Sequence, residues 1–210
     1  MARVVIIDYD RGNLRSVQKG FERVGFSAAI SRDPQIIADA SHVVLPGVGA
    51  FGDCMDNLER FGLIDPVTDA VRAGKPFLGI CLGLQLLFSE SEEFGDRKGL
   101  GIIPGRVRAF PAGMLRDGER LKVPHMGWNR LHMTRRPPVF ADLDEGAHVY
   151  FVHSFHVVPD DLDVVASTTQ YGVLFVSSIW KDNVVACQFH PEKSDKAGLA
   201  MLRNFAQWKG

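Results

Sequence analysis

The chain is short of cysteine, of net charge and of long apolar segments. It has three cysteines in 210 residues and no C-x-x-C pair, which argues for reduced thiols and against a zinc site. The formal net charge is −1 and no long basic run occurs, so we expect no nucleic-acid partner. No segment approaches about 18 uninterrupted apolar residues, and residues 1–8 hold an apolar run too short for a signal peptide. We therefore expect a cytoplasmic protein without a membrane span.

What the composition does provide is enough apolar material for one substantial core. Hydrophobic residues make up 46% of the chain, and 210 residues suffice for a single domain of ordinary size. No internal repeat, low-complexity tract or linker divides the sequence. We expect residues 1–210 to form one domain.

The first 90 residues alternate between predicted strands and predicted helices. Short apolar runs predict strands at 4–8, 26–30, 42–45 and 77–80. Apolar residues recur at helical spacing from Leu14 to Val24, and Asp33 and Asp65, each followed by proline, are expected to cap two further helices. This alternation predicts a parallel sheet with helices on both faces.

The second half has the pattern of strands with short connections. Strands are predicted at 106–110, 150–153, 164–168, 174–180 and 184–188. The turn at residues 181–183 predicts an antiparallel hairpin, and Asp195 is expected to cap a final helix. The whole chain therefore predicts a three-layer α/β/α fold of the flavodoxin-like type, with a mixed, mostly parallel sheet.

Cys81 is the strongest candidate for a nucleophile. It follows a predicted strand and precedes a helix-like run, with Gly79 and Gly83 two residues away on either side. A G-x-C-x-G segment at a strand-to-helix junction is the thiol version of the nucleophile elbow. The N-terminus of the following helix offers N–H groups and positive potential, which favour a thiolate. His190 and Glu192 lie far downstream, and a Cys…His…Glu order on an α/β pattern indicates amide hydrolysis through a thioester.

The other two cysteines are weaker candidates. Cys54 is flanked by Asp53 and Asp56, whose charges are expected to raise the pKa of its thiol. Cys187 precedes His190 by three residues on the same predicted strand. Strand alternation places these two side chains on opposite faces, so we expect Cys187 to pack in the core.

His190 is the preferred base among seven histidines. Glu192, two residues later, can hold the imidazole tautomer and stabilise the cationic ring, and Pro191 restrains the backbone between them. Three histidines are expected to be structural or exposed: His42, His132 and His148. Three others lie in denser apolar or aromatic surroundings and stay open as alternatives: His125, His153 and His156.

A thioester mechanism also requires donors for the oxyanion. The N–H of Leu82, directly after the candidate nucleophile, is one candidate. The P-G-V-G turn at residues 46–49 follows a predicted strand and could supply the other donor, the N–H of Val48. Glycine in this turn permits a peptide flip that other residues resist.

At these residues the chain resembles the class I, triad-type glutamine amidotransferases. The segments G-I-C-L-G at 79–83 and Q-F-H-P-E at 188–192 are typical of that superfamily. Three segments resemble more specifically the glutaminase subunits of imidazole glycerol phosphate synthases: G-N-L-R-S at 12–16, P-H-M-G-W-N at 124–129 and F-H-P-E-K-S at 189–194. The resemblance runs almost end to end and implies the class I glutamine amidotransferase fold.

The resemblance implies roles for individual residues. It assigns a catalytic triad of Cys81, His190 and Glu192. Four further positions match those that hold glutamine in the family: Gly49, Gln85, Ser154 and Phe155. The family more often has tyrosine at the last of these positions, where contact is largely through the backbone. No metal and no cofactor are implied.

The resemblance also implies a partner, the separate (β/α)8 cyclase subunit of imidazole glycerol phosphate synthase in histidine biosynthesis. Ammonia released from glutamine would pass to that subunit, which makes imidazole glycerol phosphate and aminoimidazole carboxamide ribotide. We expect the partner to be another chain, in a heterodimer. Six positions match segments near the subunit interface: Asn13, Arg15, Met126, Trp128, Tyr150 and Lys193.

Two other functions stay open on the sequence. One is a glutaminase that serves another pathway, such as pyridoxal phosphate synthesis, although the segments at 12–16 and 124–129 speak against it. The other is a flavodoxin-like binding or regulatory domain in which Cys81 is inert. A glutaminase assay with and without candidate cyclase chains separates these possibilities.

Overall fold

The computed structural model describes residues 3–116 and 118–210, so the expectations that involve Met1 and Ala2 concern residues outside this description. The described residues contain six α-helices. Their bounds are Leu14–Arg23 (α1), Pro34–Ala38 (α2), Phe51–Arg60 (α3), Ile64–Arg72 (α4), Leu82–Leu86 (α5) and Asp195–Gln207 (α6).

Sixteen strands are interleaved with these helices in the described residues. Their bounds are Val4–Ile7 (β1), Ala28–Ser31 (β2), His42–Gly47 (β3), Phe77–Cys81 (β4), Phe88–Ser91 (β5), Arg97–Lys98 (β6), Ile103–Ala109 (β7), Leu115–Arg116 (β8), Glu119–Arg120 (β9), His125–Arg130 (β10), His132–Met133 (β11), His148–His153 (β12), Phe155–Pro159 (β13), Val165–Tyr171 (β14), Val173–Lys181 (β15) and Val184–Cys187 (β16).

Most of these strands belong to one mixed sheet. Its order is β2-β1-β3-β4-β16-β15-β13-β7-β5-β6, with β14 paired to β15 and β11 paired to β14. The five strands from β2 to β16 are parallel, and β15 joins β16 through the predicted antiparallel hairpin. Strands β10 and β12 form a separate antiparallel ribbon. The predicted mixed α/β sheet is therefore confirmed.

Alternating side chains of the parallel strands fill two apolar cores, one on each face of the sheet. In β1, Val4 and Ile6 face one core while Val5 and Ile7 face the other. Helices α1 and α6 cover the first face, and α2, α3, α4 and α5 cover the second. Strands buried on both faces must be apolar at every position, which explains the continuous runs in the sequence.

Helix boundaries differ from the predictions at two aspartates. Asp65 lies inside the first turn of α4, because the helix already begins at Ile64 with Leu63 as its N-cap residue. Asp195 is likewise the first residue of α6 and follows the N-cap residue Ser194. By contrast, Asp33 caps α2 as predicted, since its side chain accepts a hydrogen bond from the Gln35 N–H at 2.8 Å.

Four elements near the pocket described below were not predicted: α3, β5, β10 and β13. Helix α3 follows the turn at residues 46–49 and buries Phe51, Cys54 and Leu58, whose spacing of three and four residues is helical. The helix after Cys81 ends at Leu86, and the chain then becomes strand β5, because pairing with β7 outweighs the local helical pattern. Strand β10 has only two apolar residues, Met126 and Trp128, and both are exposed, so no apolar face packs this strand into the core.

Candidate active site

Cys81 sits at a strained turn between β4 and α5. Its φ of 56° and ψ of −110° place it in a region that residues other than glycine rarely adopt. The turn brings its neighbours very close to other backbone: a Cβ on Gly83 would overlap the carbonyl of Leu45, and a Cβ on Gly79 would lie 2.8 Å from that of Ala186. The two glycines of the G-x-C-x-G segment are therefore required by packing, as a nucleophile elbow requires.

His190 and Glu192 form a buried pair next to this turn. The two side chains are 2% and 0% exposed, and His190 Nδ1 lies 2.8 Å from Glu192 Oε1. His190 follows the end of β16, and Cys81 is the last residue of β4. Because β16 and β4 are adjacent and parallel, the imidazole lies beside Cys81. In the described part of the chain, His190 Nε2 and Glu192 Oε2 are buried without a hydrogen-bond partner.

The electrostatics of this pair favour a cationic imidazole. Burial of the ring opposes its protonation, but the adjacent Cys81 sulfur and the Glu192 carboxylate together raise the pKa of His190 to about 10. A thiol and an imidazole in this arrangement stabilise each other as thiolate and imidazolium, the reactive form of a cysteine nucleophile.

Cys81 and His190 line a pocket of about 310 Å³. The pocket also brings together the six predicted oxyanion and substrate residues, which are Val48, Gly49, Leu82, Gln85, Ser154 and Phe155. Its other lining residues are Glu93, Pro124, Val152, His153 and Lys193. Of this second group, Lys193 was predicted as an interface residue and His153 was an alternative candidate for the base.

Glu93 is a pocket residue that sequence reasoning missed. Its Oε2 accepts a hydrogen bond from the Phe51 N–H at 2.7 Å, at the N-terminus of α3. The carboxylate thereby satisfies a free N–H of the first helical turn and complements the helix dipole. Because α3 and β5 were not predicted, no signal in the sequence placed Glu93 beside Cys81.

Buried donors hold the turn at residues 46–49. The Tyr9 hydroxyl donates to the Pro46 carbonyl at 2.6 Å, and the Cys54 thiol donates to the Val48 carbonyl at 3.6 Å. Burial of Cys54 raises the pKa of its thiol to about 11, while the charge of Asp53 is a smaller cause. The predicted direction is confirmed, but desolvation rather than the flanking acids dominates.

Cys187 and the histidines outside the pair with Glu192 occupy distinct environments. Burial also raises the pKa of Cys187, which packs in the apolar core as predicted. His132 and His148 are exposed. His42, in contrast, is buried, and its Nε2 lies 2.8 Å from the Trp208 carbonyl, a structural contact.

Two buried histidines form a hydrogen-bonded pair beside the pocket. His125 Nδ1 lies 3.0 Å from His153 Nε2, and His153 Nδ1 lies 2.8 Å from the Phe155 carbonyl. Burial lowers the pKa of His125 to about 4 and that of His153 to about 3. Both rings are therefore neutral at pH 7, so neither is poised to accept a proton from Cys81.

The lowered pKa values of His125 and His153 predict that the protein loses stability in acid. A histidine whose pKa is depressed in the folded state contributes stability above its unfolded pKa of about 6.5, and this stability is lost as the pH falls toward the folded value. We expect the free energy of unfolding to fall between pH 6.5 and 4 by up to about 1.4 kcal/mol per pH unit for each ring. Denaturant titrations over this pH range on wild type and His125→Gln measure the effect. The variant should show a shallower slope, and an equal slope in both proteins would contradict the assignment.

Three of the predicted interface residues, Trp128, Tyr150 and Lys193, lie next to one another, and Lys193 also lines the pocket. Met126 and Trp128 project from β10 and are 63% and 54% exposed, a high value for apolar side chains. The Trp128 ring meets the edge of Tyr150 at 6.1 Å between centroids, and the Lys193 ammonium lies 5.7 Å from the Tyr150 ring. Asn13 and Arg15 mark the start of α1, which packs against the turn at Pro191–Lys193.

No group of three or more His, Cys, Asp or Glu side chains in the described residues could hold a metal ion. Among residues 3–116 and 118–210, no helix has the length and apolar character needed to cross a bilayer.

The family model for class-I glutamine amidotransferases matches residues 5–208, and the chain belongs to this family. Solved structures agree on the fold. The structure of PurLQS from Thermotoga maritima superposes with a TM-score of 0.76 at 19% identity, over 99% of each chain. The structure of a putative GMP synthase subunit from Thermoplasma acidophilum gives 0.70 at 18% identity, over 99% of this chain and 94% of the other.

Relatives with higher sequence identity show to which family of class-I amidotransferases the chain belongs. The imidazole glycerol phosphate synthase subunit HisH of Geobacter sulfurreducens is 58% identical over 209 residues, which is 100% of both chains. The HisH subunit of Syntrophotalea carbinolica is 60% identical over 96% of this chain and 98% of its own, and that of Aquifex aeolicus is 53% identical over 97% and 95%. Within the class-I amidotransferases, the chain therefore belongs to the HisH family.

Proposed function

We propose that this protein hydrolyses glutamine to glutamate and ammonia through a thioester on Cys81, and passes the ammonia to the separate cyclase subunit of imidazole glycerol phosphate synthase in histidine biosynthesis. The observation that carries the proposal is that a cysteine at a nucleophile elbow lines the same pocket as His190, whose imidazole is paired with the buried Glu192 carboxylate. Residues 1–210 would act as one amidotransferase domain in the cytoplasm. Membership of the HisH family favours this pathway over the other glutaminase pathways considered above.

The first half of the reaction forms the thioester. His190 holds the Cys81 proton, and the thiolate attacks the side-chain amide carbon of glutamine. The resulting oxyanion would accept hydrogen bonds from the N–H groups of Leu82 and Val48. His190 then donates its proton to the amide nitrogen, the C–N bond breaks, and ammonia leaves a glutamyl thioester on Cys81.

The second half hydrolyses the thioester. Neutral His190 takes a proton from water, whose oxygen attacks the thioester carbon, and the C–S bond breaks to release glutamate. Glu192 stays ionised and holds Nδ1 throughout, so that Nε2 always faces the reacting atoms. The unpartnered Nε2 in the structure is the atom that this role requires to be available.

The pocket has charges of both signs to receive the α-amino and α-carboxylate groups of glutamine. Glu93 provides a negative charge and Lys193 a positive one among the lining residues. Gln85 Nε2 is already engaged by the Phe155 carbonyl at 3.1 Å and by Gln188 Oε1 at 3.0 Å. Its Oε1 is therefore the atom of Gln85 that can accept a hydrogen bond from substrate, while Gly49 and Ser154 offer backbone groups.

Stimulation by the partner tests the proposal. A glutaminase that worked alone would release ammonia without use, so we expect low activity in isolation. One oxyanion donor is worth about 100- to 1000-fold in rate, and a flip of the turn at 46–49 could supply or remove it. We expect at least that stimulation of glutamine hydrolysis when the cyclase subunit and its nucleotide ligand are added, measured as glutamate released per minute.

A matched pair of variants identifies the donor. Val48→Pro removes the N–H at this position, whereas Val48→Ala keeps it and shortens an exposed side chain. We expect the proline variant to lose most of the stimulated rate and little of the basal rate, and the alanine variant to behave as wild type. A chain that is fully active alone and indifferent to any cyclase would defeat the coupling.

A further inference from the structure

Gln188 does not line the pocket, but its side chain contacts two residues that do, Cys81 and Gln85. Its side chain is fully buried, at the end of the strand that runs parallel to β4. Gln188 Nε2 donates toward Cys81 Sγ at 3.8 Å, and Gln188 Oε1 accepts from Gln85 Nε2 at 3.0 Å. A buried amide is thus in contact with the sulfur on one side and with a pocket residue on the other.

The surrounding hydrogen bonds decide which end of the Gln188 amide faces the sulfur. The carbonyl of Phe155 can only accept, so Gln85 must present its Nε2 to it, at 3.1 Å. The other N–H of the same nitrogen then points to Gln188, which must accept this hydrogen bond with its Oε1 atom. An amide whose oxygen is held in this way presents its N–H to Cys81.

The Phe155 carbonyl is in turn held from the opposite side by the histidine pair. Because that carbonyl only accepts, His153 carries its proton on Nδ1 and accepts at Nε2 from His125 Nδ1. Asn129 Nδ2 completes the series at 3.3 Å from His125 Nε2. The donors from Asn129 to His153 therefore all point toward the Phe155 carbonyl, and each neutral ring has a single tautomer.

We propose that Gln188 is a further catalytic residue, whose N–H group stabilises the Cys81 thiolate, and that the His125–His153 pair positions it through the Phe155 carbonyl and Gln85. This inference rests on the proposed function. A hydrogen bond to a charged group is worth about a 10- to 100-fold change in an equilibrium, so Gln188 contributes on that scale to the population of reactive sulfur.

Alkylation of Cys81 by iodoacetamide tests this directly, without glutamine or a partner. Gln188→Glu keeps the acceptor for Gln85 but replaces the donor with a negative charge, and Gln188→Met removes the donor without adding charge. We expect alkylation at pH 7 to slow by about 10- to 100-fold in Gln188→Met and by more in Gln188→Glu. The pH midpoint of alkylation should rise by about one to two units.

Two controls separate this role from a structural one. Cys187→Ala changes the adjacent buried residue, which lies in the apolar core and outside the pocket, and should leave alkylation of Cys81 unchanged. His125→Gln should slow alkylation, whereas His156→Gln should not, since His156 belongs to the same aromatic cluster but lies outside the hydrogen-bonded series. Thermal melts show which variants fold.

The outcomes are distinguishable by peptide mapping of the labelled protein. If folded Gln188→Met and Gln188→Glu are alkylated at the wild-type rate and pH, Gln188 has no such role. If neither variant folds, the histidine comparison decides, and equal rates for His125→Gln and His156→Gln would overturn the inference. If wild-type Cys81 reacts no faster than Cys54, the proposed function itself fails.

Discussion

Cys81→Ala should abolish glutamine hydrolysis, with a loss of about 100,000-fold or more. The thiolate is the attacking group, so its removal eliminates the covalent route, and single losses of a nucleophile reach this scale in other enzymes. The side chain lines the pocket and also packs in the first core, but alanine removes only its sulfur atom, so we expect the fold to persist. Glutamate release by the complex with the cyclase subunit is the measurement.

The matched control is Cys187. Cys187→Ala should retain most of the activity, because its thiol is in the apolar core and does not line the pocket. The Cys81→Ala variant should still bind the cyclase subunit and support synthesis from added ammonia. Hydrolysis at a comparable rate in Cys81→Ala would transfer the nucleophile role elsewhere, with Cys54 the next thiol to test.

His190→Asn should cost nearly as much as loss of the nucleophile, and Glu192→Gln should cost about 10- to 100-fold less. The imidazole transfers protons directly, whereas the carboxylate holds its tautomer and stabilises its charge. Steady-state kcat for glutamine hydrolysis by the stimulated complex compares the two. His156→Asn is the control, since this ring lies outside the pocket.

The pH dependence of stability in Glu192→Gln is a second test of the interaction between Glu192 and His190. Glu192 helps to raise the pKa of His190 to about 10, so its neutral replacement should move that pKa down. In wild type, a raised histidine pKa stabilises the fold fully below about pH 6.5, and this stability is lost as the pH rises toward 10. Stability of Glu192→Gln should decline less over that range. Wild-type activity in His190→Asn would remove the base role from this residue.

The fold could be predicted from the sequence because its strands carry strong local signals. Strands buried on both faces must be apolar at consecutive positions. A short apolar run between two helical patterns therefore indicates a buried strand. The elements that were missed lack such signals. In strand β10 the only apolar residues, Met126 and Trp128, are exposed. Strand β5 begins at Phe88, the last residue of an apolar helical pattern, so its conformation depends on pairing with β7.

The catalytic candidates of the site could be predicted from the sequence for a similar reason. A nucleophile elbow needs glycines at fixed positions around the cysteine, and a base oriented by a carboxylate two residues away needs only the local chain. Cys81, His190 and Glu192 therefore left short-range patterns. Gln188 stands in the Q-F-H-P-E segment, but that pattern does not show that its amide contacts Cys81. No pattern marks Glu93, which lies beside the pocket only in the folded chain.

What the sequence determined by itself was the alternation of elements, the position of the elbow, and a histidine with its carboxylate close by. Only the tertiary structure decided that β16 lies parallel and next to β4, which brings residues 81, 188 and 190 together. It also decided the direction of every hydrogen bond from Asn129 to Cys81, because a donor is assigned only when its acceptor is known. Local patterns restrict the conformation of neighbouring residues, whereas charge, burial and proton position at the pocket depend on residues more than 100 positions apart.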